Sequence, residues 1–288
     1  MKTLKKIVFV SMLFLPVIAL AHQPRLTTTT FTQVVDPEIS KAYYGASLSE
    51  PHVYKISSAN HFDLYVNILV PDIAGQSKDV SFNIIKTGNP TPIFTGDAEK
   101  SEWKKLSEPF GHDNYWQGPE YKAKVGEGEY TVTVWSKNPA SHYSLAIGEI
   151  EKFDFKETVN TINLIPTIKK TVFNKNPIDF ILSPIGAGYI LIMYILAFIL
   201  GFIYRFVVKK VADKKLKSDV ASGAPIKPSR NIGFKDRLVR AVIGLALLLW
   251  AITTTWSPIL IFFSGFAFFE AIFSWCAFYS AIGKNTCE

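Results

Sequence analysis

The chain has 288 residues, a hydrophobic fraction of 48%, only two cysteines and a formal net charge of +7. This charge is uneven, because residues 22–183 carry a net charge of −3 and residues 184–288 carry one of +7. Basic charge that accompanies apolar sequence predicts contact with anionic lipid head groups, and it argues against a nucleic-acid-binding surface.

The first 21 residues have the pattern of a cleavable secretory signal. Three lysines precede an apolar run from residue 7 to residue 20, and Ala19-Leu20-Ala21 offers a small-x-small cleavage site. We therefore expect the mature chain to begin at His22. Residues 22–183 contain no cysteine, so burial and not disulfide bonds is expected to stabilise the exported part.

Residues 22–150 are predicted to form an exported all-β domain. Apolar residues alternate with polar ones between His61 and Val70, the period-two pattern of a strand with one buried face. Further short strands are predicted at residues 80–86, 121–125, 130–135 and 143–148, with turn signals such as Gly88-Asn89-Pro90 between them. This spacing favours a β-sandwich of jelly-roll type. Residues 128–148 also resemble the final strands of the pre-peptidase C-terminal type of β-sandwich.

Aromatic and polar side chains are interleaved between Trp103 and Tyr121. Rings can stack on a sugar, a peptide or another polar ligand while amides and carboxylates orient it. The same pattern also fits a long loop that is pinned to the domain by its own aromatic side chains. The candidate ligand-binding residues are Trp103, Asp113, Asn114, Tyr115, Trp116 and Tyr121.

The five histidines all lie in the predicted exported domain, at His22, His52, His61, His112 and His142. A mature N-terminus at His22 would chelate copper through its α-amino group and imidazole, and one more histidine would complete a nitrogen set suited to Cu(II). No two histidines have a close ligand spacing such as His-x-His, and ordinary surface histidines show the same scatter. Copper at His22 is the one cofactor that the sequence suggests, and none is required.

Residues 151–183 are predicted to be an amphipathic connector outside the membrane. Apolar side chains recur at helical spacing between Phe155 and Phe173, with Pro166 expected to kink or split the helix. Such a helix either packs on the sandwich or lies at the outer surface of the bilayer.

Three apolar segments, at residues 185–204, 238–256 and 259–282, are each long enough to cross a lipid bilayer as a helix. The region from Arg205 to Arg240 holds eleven Lys and Arg residues against three Asp, and basic loops of this length stay cytoplasmic. The prediction is a first transmembrane helix at 184–207, a flexible basic linker at 208–230, and a cytoplasmic C-terminus. The expected location is a bacterial inner membrane with a periplasmic β domain.

The last 58 residues open with Asn231-Ile-Gly-Phe-Lys-Asp236-Arg237, continue as two apolar segments joined at Ser257-Pro258, and close with Cys276 and Thr286-Cys287. This order of elements resembles the YgaP-like inner membrane domain family, which implies a two-helix membrane domain at residues 231–288. Some members join this domain to a rhodanese domain. Here a predicted β-sandwich takes that place and there is no third cysteine, so sulfurtransferase activity is not carried over.

Residues 231–288 also contain side chains that could carry out chemistry. The ten residues between Cys276 and Cys287 let the tail fold back, which would allow a redox pair, a metal clip or a sulfur relay, or simply two inert thiols. Glu270 lies inside the third apolar segment, where a carboxylate should face protein, be protonated or find a basic partner such as Arg237 or Arg240. Small residues along the hairpin and the need to shield Glu270 predict a homo-oligomer through residues 231–288.

No enzymatic motif is present, since the sequence lacks Gly-x-Ser-x-Gly, a phosphate loop, a dinucleotide fingerprint and His-Glu-x-x-His. We therefore expect a membrane-anchored envelope protein with a three-helix anchor, whose exported β-sandwich binds an unknown ligand or protein partner or acts as a scaffold. The alternative is a copper-binding or thiol-linked membrane protein of transport or redox function.

Overall fold

The computed structural model describes residues 22–46, 48–219, 230–282 and 284–287. The chain divides into two compact units, with the boundary between Ile185 and Gly186. The predicted signal segment and residues 220–229 of the predicted linker lie outside the described residues.

The described part of the first unit contains eleven β-strands in two mixed sheets. The strands are β1 (Gln23–Thr27), β2 (Phe31–Val34), β3 (Lys41–Gly45), β4 (His52–Ser58), β5 (Phe62–Pro71), β6 (Val80–Lys86), β7 (Phe94–Gly96), β8 (Lys104–Glu108), β9 (Asp113–Val125), β10 (Gly128–Ser136) and β11 (Tyr143–Ile147). Sheet A has the order β1-β3-β11-β5-β9-β8, and sheet B has the order β2-β4-β10-β6-β7. The pairs β1–β3 and β2–β4 are parallel, and the remaining neighbours are antiparallel.

The main hydrophobic core is built from both sheets. The alternating apolar residues of β5 contribute to it together with buried residues of β6 and β10 such as Phe82 and Val132. Two buried tyrosines, Tyr54 and Tyr143, hydrogen-bond to each other with 2.6 Å between their hydroxyl oxygens, which satisfies polar groups that burial would otherwise leave unpaired. A sandwich-like β domain is thus confirmed.

The strand β5 is buried on one face at its start and on both faces at its end. Asp63 is exposed, whereas Asn67 and Leu69 are buried although they lie off the alternating apolar set. Leu69 is covered by a helix, α1 (Phe155–Thr171), that packs on the outer face of sheet A. Leu69 belongs to the apolar cluster that this helix forms with the sheet, together with Tyr115, Ile168, Val172 and Phe173.

Helix α1 has the apolar face that its sequence predicts, but it is not split at Pro166. It begins after Asp154, whose carboxylate accepts a hydrogen bond from the Glu157 amide at 2.7 Å, the usual way to satisfy a free amide in the first turn. It continues through Pro166, which is itself buried, to Thr171. Of the two settings expected for this helix, the structure shows the one on the sandwich.

An ion pair is buried between α1 and sheet A. Lys169 is 1% exposed, and its Nζ lies 3.0 and 2.9 Å from the two carboxylate oxygens of Asp113 and 2.6 Å from the Gly111 carbonyl oxygen. Burial lowers the pKa of Lys169, while the Asp113 charge acts to raise it. Lys175 also contacts Asp113, at 2.9 Å, so this carboxylate joins two cations to the sheet.

Replacing Asp113 with Ala is expected to destabilise the packing of α1 strongly, because it leaves Lys169 charged, buried and unpaired. Breaking a buried pair in this way costs about 3–5 kcal/mol. Hydrogen exchange of the α1 amides in the full chain should accelerate accordingly. The matched control is Glu129→Ala, which breaks the exposed pair with Lys55 (3.0 Å) and should cost less than about 1 kcal/mol. Equal exchange in the two variants would contradict a stabilising role for the buried pair.

The described part of the second unit is helical. The last two residues of the first unit open a long helix, α2 (Pro184–Asp219), which is followed by α3 (Phe234–Thr253), α4 (Pro258–Phe273) and α5 (Ala277–Ile282). Because α2 continues to Asp219, residues 208–219 of the predicted flexible linker are helical instead.

Only the Pro184–Val208 part of α2 is long and apolar enough, among the described helices, to cross a membrane. The predicted third span at residues 259–282 is divided, because Ser274 adopts a left-handed conformation with a φ of 53° that ends α4. The 16 residues of α4 extend over about 24 Å by helical rise, less than the roughly 30 Å of a hydrocarbon core. Three transmembrane helices therefore stay a prediction.

The start of α3 is fastened to the chain that follows α5. The N-cap residue Gly233 has no side chain to offer, and its amide donates to the Thr286 hydroxyl oxygen at 3.0 Å. That hydroxyl donates in turn to the Asp236 carboxylate at 2.7 Å. The side chain of Asn231 binds the backbone of Cys276 twice, accepting from its amide at 2.7 Å and donating to its carbonyl at 2.8 Å. We call these five residues the tail clasp.

Gly233 is required in the tail clasp for steric reasons, since a Cβ there would lie 2.0 Å from the Thr286 carbonyl oxygen. Gly233→Ala should therefore open the clasp and expose the buried Cys276 thiol. We expect faster maleimide labelling of Cys276 in a Cys287→Ser background.

The control for this experiment is Gly188→Ala, because a Cβ there meets no atom within 4 Å. Thr286→Val, which removes both clasp hydrogen bonds of the hydroxyl, should act like Gly233→Ala. Labelling at the parental rate in both clasp variants would show that the clasp does not protect Cys276.

Candidate functional site

An open groove lies where the first strands of both sheets meet the start of α1. Its volume is about 460 Å³, and β1, β2, β3 and the first turn of α1 contribute to its walls. Three cationic and three anionic side chains line it: Arg25, Lys41, Lys152, Asp36, Asp154 and Glu157.

Arg25 and Glu157 join β1 to α1 at the groove through two parallel hydrogen bonds. Arg25 Nη1 and Nη2 lie 2.6 and 2.9 Å from the two carboxylate oxygens of Glu157. Gln23 accepts a further bond from Arg25 Nη2 at 2.8 Å. A two-bond guanidinium–carboxylate pair has fixed geometry, so this wall of the groove is held in one arrangement.

Lys41 forms a buried cationic part of the groove wall. It is 7% exposed, and its Nζ donates to the carbonyl oxygens of Val35 at 2.7 Å and Asp36 at 2.8 Å. Burial lowers the pKa of Lys41, and the nearby Asp36 carboxylate opposes this shift. These bonds stabilise the left-handed turn at Asp36, where φ is 48°. The chain uses this turn to pass from sheet B to sheet A.

The groove therefore offers fixed charges of both signs on a rigid frame. Ligand pockets commonly have volumes of about 300–1,000 Å³, with a few placed polar groups that orient the ligand. This groove is more polar than such pockets usually are. Its chemistry suits a ligand that carries both charges, or a polypeptide main chain, better than an apolar molecule.

The candidate residues between Trp103 and Tyr121 lie on β9, except Trp103, which directly precedes β8, and they are divided between the two faces of sheet A. Asp113 and Tyr115 face α1, where the Tyr115 hydroxyl lies 3.1 Å from that of Tyr44. Trp103 and Tyr121 pack against the core between the sheets. Asn114 is exposed.

Trp116 is held at the surface by charged neighbours. Its indole nitrogen donates to the Asp72 carboxylate at 2.9 Å. The ammonium groups of Lys78 and Lys105 lie 3.3 and 4.9 Å from the centre of its ring, which are cation–π distances. Trp116 also packs partly against the core between the sheets, as Trp103 and Tyr121 do, so the lysines cover only its outer side.

Three of the five histidines have a ring nitrogen in a hydrogen bond. The Nδ1 atom contacts Ser40 Oγ in His22, the Tyr143 hydroxyl at 2.6 Å in His52, and the Val172 carbonyl oxygen at 2.6 Å in His142. Burial lowers the pKa of His22 and of His52. In the part of the chain that the structure describes, no group of three or more His, Cys, Asp or Glu residues could hold a metal ion. Copper at His22 stays a prediction.

The second unit pairs Glu270 with Arg240 inside one chain. Glu270 is buried, and its carboxylate forms an ion pair with Arg240 Nη1. The Arg240 guanidinium also lies 5.1 Å from the ring centre of Tyr279, and Arg237 Nε donates to the Ala271 carbonyl at 2.7 Å. A second copy is therefore not needed to supply a counter-ion for Glu270, and the homo-oligomer stays a prediction.

The two cysteines are both free and differ in exposure. Cys276 is buried, whereas Cys287 is exposed. A shared thiol chemistry for this pair stays a prediction.

Solved structures with similarity to the chain include the pre-peptidase C-terminal domain of a collagenase from Bacillus anthracis, with 8% identity, a TM-score of 0.26, and coverage of 44% of this chain and 96% of that one. The Yersinia pseudotuberculosis-derived mitogen shows 16% identity, a TM-score of 0.26, and coverage of 40% and 91%. CorA, a surface-associated copper-binding protein of Methylomicrobium album BG8, shows 11% identity, a TM-score of 0.23, and coverage of 43% and 98%. Likeness at this level carries no argument about function.

Among curated proteins, no sequence matches the chain. The C-terminal region does match a family model, because residues 229–288 correspond to the transmembrane domain of YgaP-like inner membrane proteins.

Proposed function

We propose that this is an inner-membrane-anchored envelope protein whose periplasmic β unit binds a polar ligand or a polypeptide at the groove between β1, β2 and α1. The match of residues 229–288 to an inner membrane domain and the apolar length of Pro184–Val208 support the anchor. The basic residues between Arg205 and Arg240 support the orientation.

The observation that carries the binding role is the groove itself. Its volume of about 460 Å³ accommodates a small ligand or several side chains. The pair of Arg25 with Glu157 and the backbone bonds of Lys41 fix its walls before any ligand arrives. A site that is already ordered loses less conformational entropy when a ligand binds.

The orientation is tested with a reporter enzyme that is active only outside the cytoplasm. Fused after Gly148 it should be active, and fused after Glu288 it should be inactive, because the basic region holds the C-terminal side in the cytoplasm. The readout is reporter activity per amount of fusion protein. Equal activity at the two positions would overturn the proposed topology.

The groove is tested by photo-cross-linking in native membranes. A benzophenone side chain in place of the groove residue Lys152 should capture a bound ligand or partner. The same group in place of Lys124, which is exposed on β9 and does not line the groove, should not. Adduct mass and yield are read by mass spectrometry of the purified full chain. The same adducts in equal yield from both positions would refute the groove as the site.

A further inference from the structure

The two sheets end in four edge strands, and three of these are protected against pairing with another chain. β1 carries Pro24 and Arg25, β8 carries the exposed Lys104 and Lys105, and β7 is only three residues long. Proline, lysine and short length are the usual means by which proteins block edge strands. The fourth edge strand is β2, whose sequence Phe-Thr-Gln-Val contains neither proline nor charge.

The hydrogen-bond phase of β2 shows which of its backbone groups face outward. The Val53 amide of β4 donates to the Thr30 carbonyl at 2.7 Å, and Phe31 is the register partner of Val53. In a parallel ladder, alternate residues turn both backbone groups to the same side. Thr30 and Thr32 therefore bond to β4, whereas the amides and carbonyls of Phe31 and Gln33 point away from it.

Most of these outward groups are open to a new partner. The Phe31 carbonyl accepts from the Thr29 hydroxyl at 2.7 Å, which leaves the Phe31 amide and both backbone groups of Gln33 on the free side. Phe31 and Val35 are 54% and 64% exposed, and Gln33 between them is exposed as well. Phe31, Gln33 and Val35 thus present an apolar, a polar and an apolar side chain along one face of β2. Beside them, two backbone amides and one carbonyl point outward from the free edge.

We infer that β2 accepts an extended segment of a partner polypeptide as an additional strand of sheet B. Only another main chain offers amides and carbonyls at the spacing of a strand, and addition to a sheet edge is an established mode of peptide recognition. Side chains of an added strand alternate between two faces. Those on the face of Phe31 and Val35 should be apolar.

The alternate side chains of the added segment lie on the opposite face, that of the groove residue Thr32, and should be polar or charged. The groove reaches both faces of this edge, because Thr32 lines it on one face and Gln33 and Val35 line it on the other, together with the cations and anions of β1, β3 and α1. The groove volume of about 460 Å³ holds several side chains. This inference rests on the proposed function and specifies its ligand as an extended peptide with alternating apolar and polar residues.

Two substitutions at one position separate backbone pairing from side-chain contact. Gln33→Pro removes an amide that faces outward together with the Gln33 side chain, which donates to the Lys55 carbonyl at 3.0 Å. Proline is accepted on an edge strand at such a position. Gln33→Ala removes the side chain and keeps the amide. A displayed library of fully randomised octapeptides is panned against the full chain in detergent, with the parental protein and both variants as targets.

The parental protein and Gln33→Ala should select peptides with apolar residues at alternate positions. Those peptides should bind Gln33→Pro about tenfold more weakly, or not at all, since one hydrogen bond of the added strand is lost. Hydrogen-exchange protection of β4 should be the same in all three proteins, which shows that the β2–β4 ladder is intact.

Absence of selection by the parental protein, or equal binding of the selected peptides to Gln33→Pro, would overturn strand addition. A change of oligomeric mass in Gln33→Pro without a change in peptide binding would instead assign the edge to a second copy of this chain and would also overturn it. The groove itself is judged independently by cross-linking from position 152. A specific adduct there combined with failed peptide selection would reject strand addition and leave the proposed function standing.

Discussion

The buried ion pair between Lys169 and Asp113 decides where α1 lies on sheet A. Apolar contacts alone would tolerate a shift of the helix by one turn, because its buried face repeats along the axis. Lys169 has no such freedom, since it is 1% exposed and its ammonium group bonds to Asp113 and to the Gly111 carbonyl. A buried pair contributes less to net stability than an apolar pair of the same size, and its best-attested role is to select one arrangement. We interpret this pair as the element that sets the register of α1.

The register of α1 in turn sets the geometry of the groove. Glu157 and Lys169 lie twelve residues apart on one helix, about 18 Å by helical rise. When Lys169 is fixed at one end, Glu157 at the other is placed opposite Arg25, where it forms the two-bond pair at 2.6 and 2.9 Å. A stabilising interaction on the outer face of sheet A thereby positions a charged wall of the candidate site at the sandwich edge.

The sequence predicts β5, β6, β10, β11 and the end of β9, but it misses the interior strands β3 and β4 as well as the edge strands. β10 and the start of β5 are buried on one face, and there burial imposes the period of two that makes a strand recognisable. Edge strands such as β1, β2 and β8 are short, exposed or interrupted by Pro24, and no such period is imposed on them.

The groove residues come from β1, β2, β3 and the start of α1, which the parallel pairs β1–β3 and β2–β4 bring together. Parallel pairing leaves no local sequence signal, and the groove was therefore not predictable. Asp113 was predicted as a ligand residue, but the pattern of aromatic neighbours could not indicate Lys169 as its partner.

In the second unit, the residues that are recognisable in the sequence serve folding and not binding. Asn231, Gly233 and Thr286 belong to the segments that suggested a family resemblance, and in the structure each one closes the tail onto the start of α3. Gly233 leaves room for a carbonyl, Thr286 caps a helix that begins with glycine, and Asn231 replaces the backbone partners that Cys276 loses where α4 ends. These recognisable residues are thus accounted for by folding requirements. The groups that can form hydrogen bonds with a partner are instead the outward amides and the carbonyl of β2. This strand has four residues and carries no sequence motif. Recognition in this protein is therefore best sought at the backbone of an edge strand and not at its most distinctive side chains.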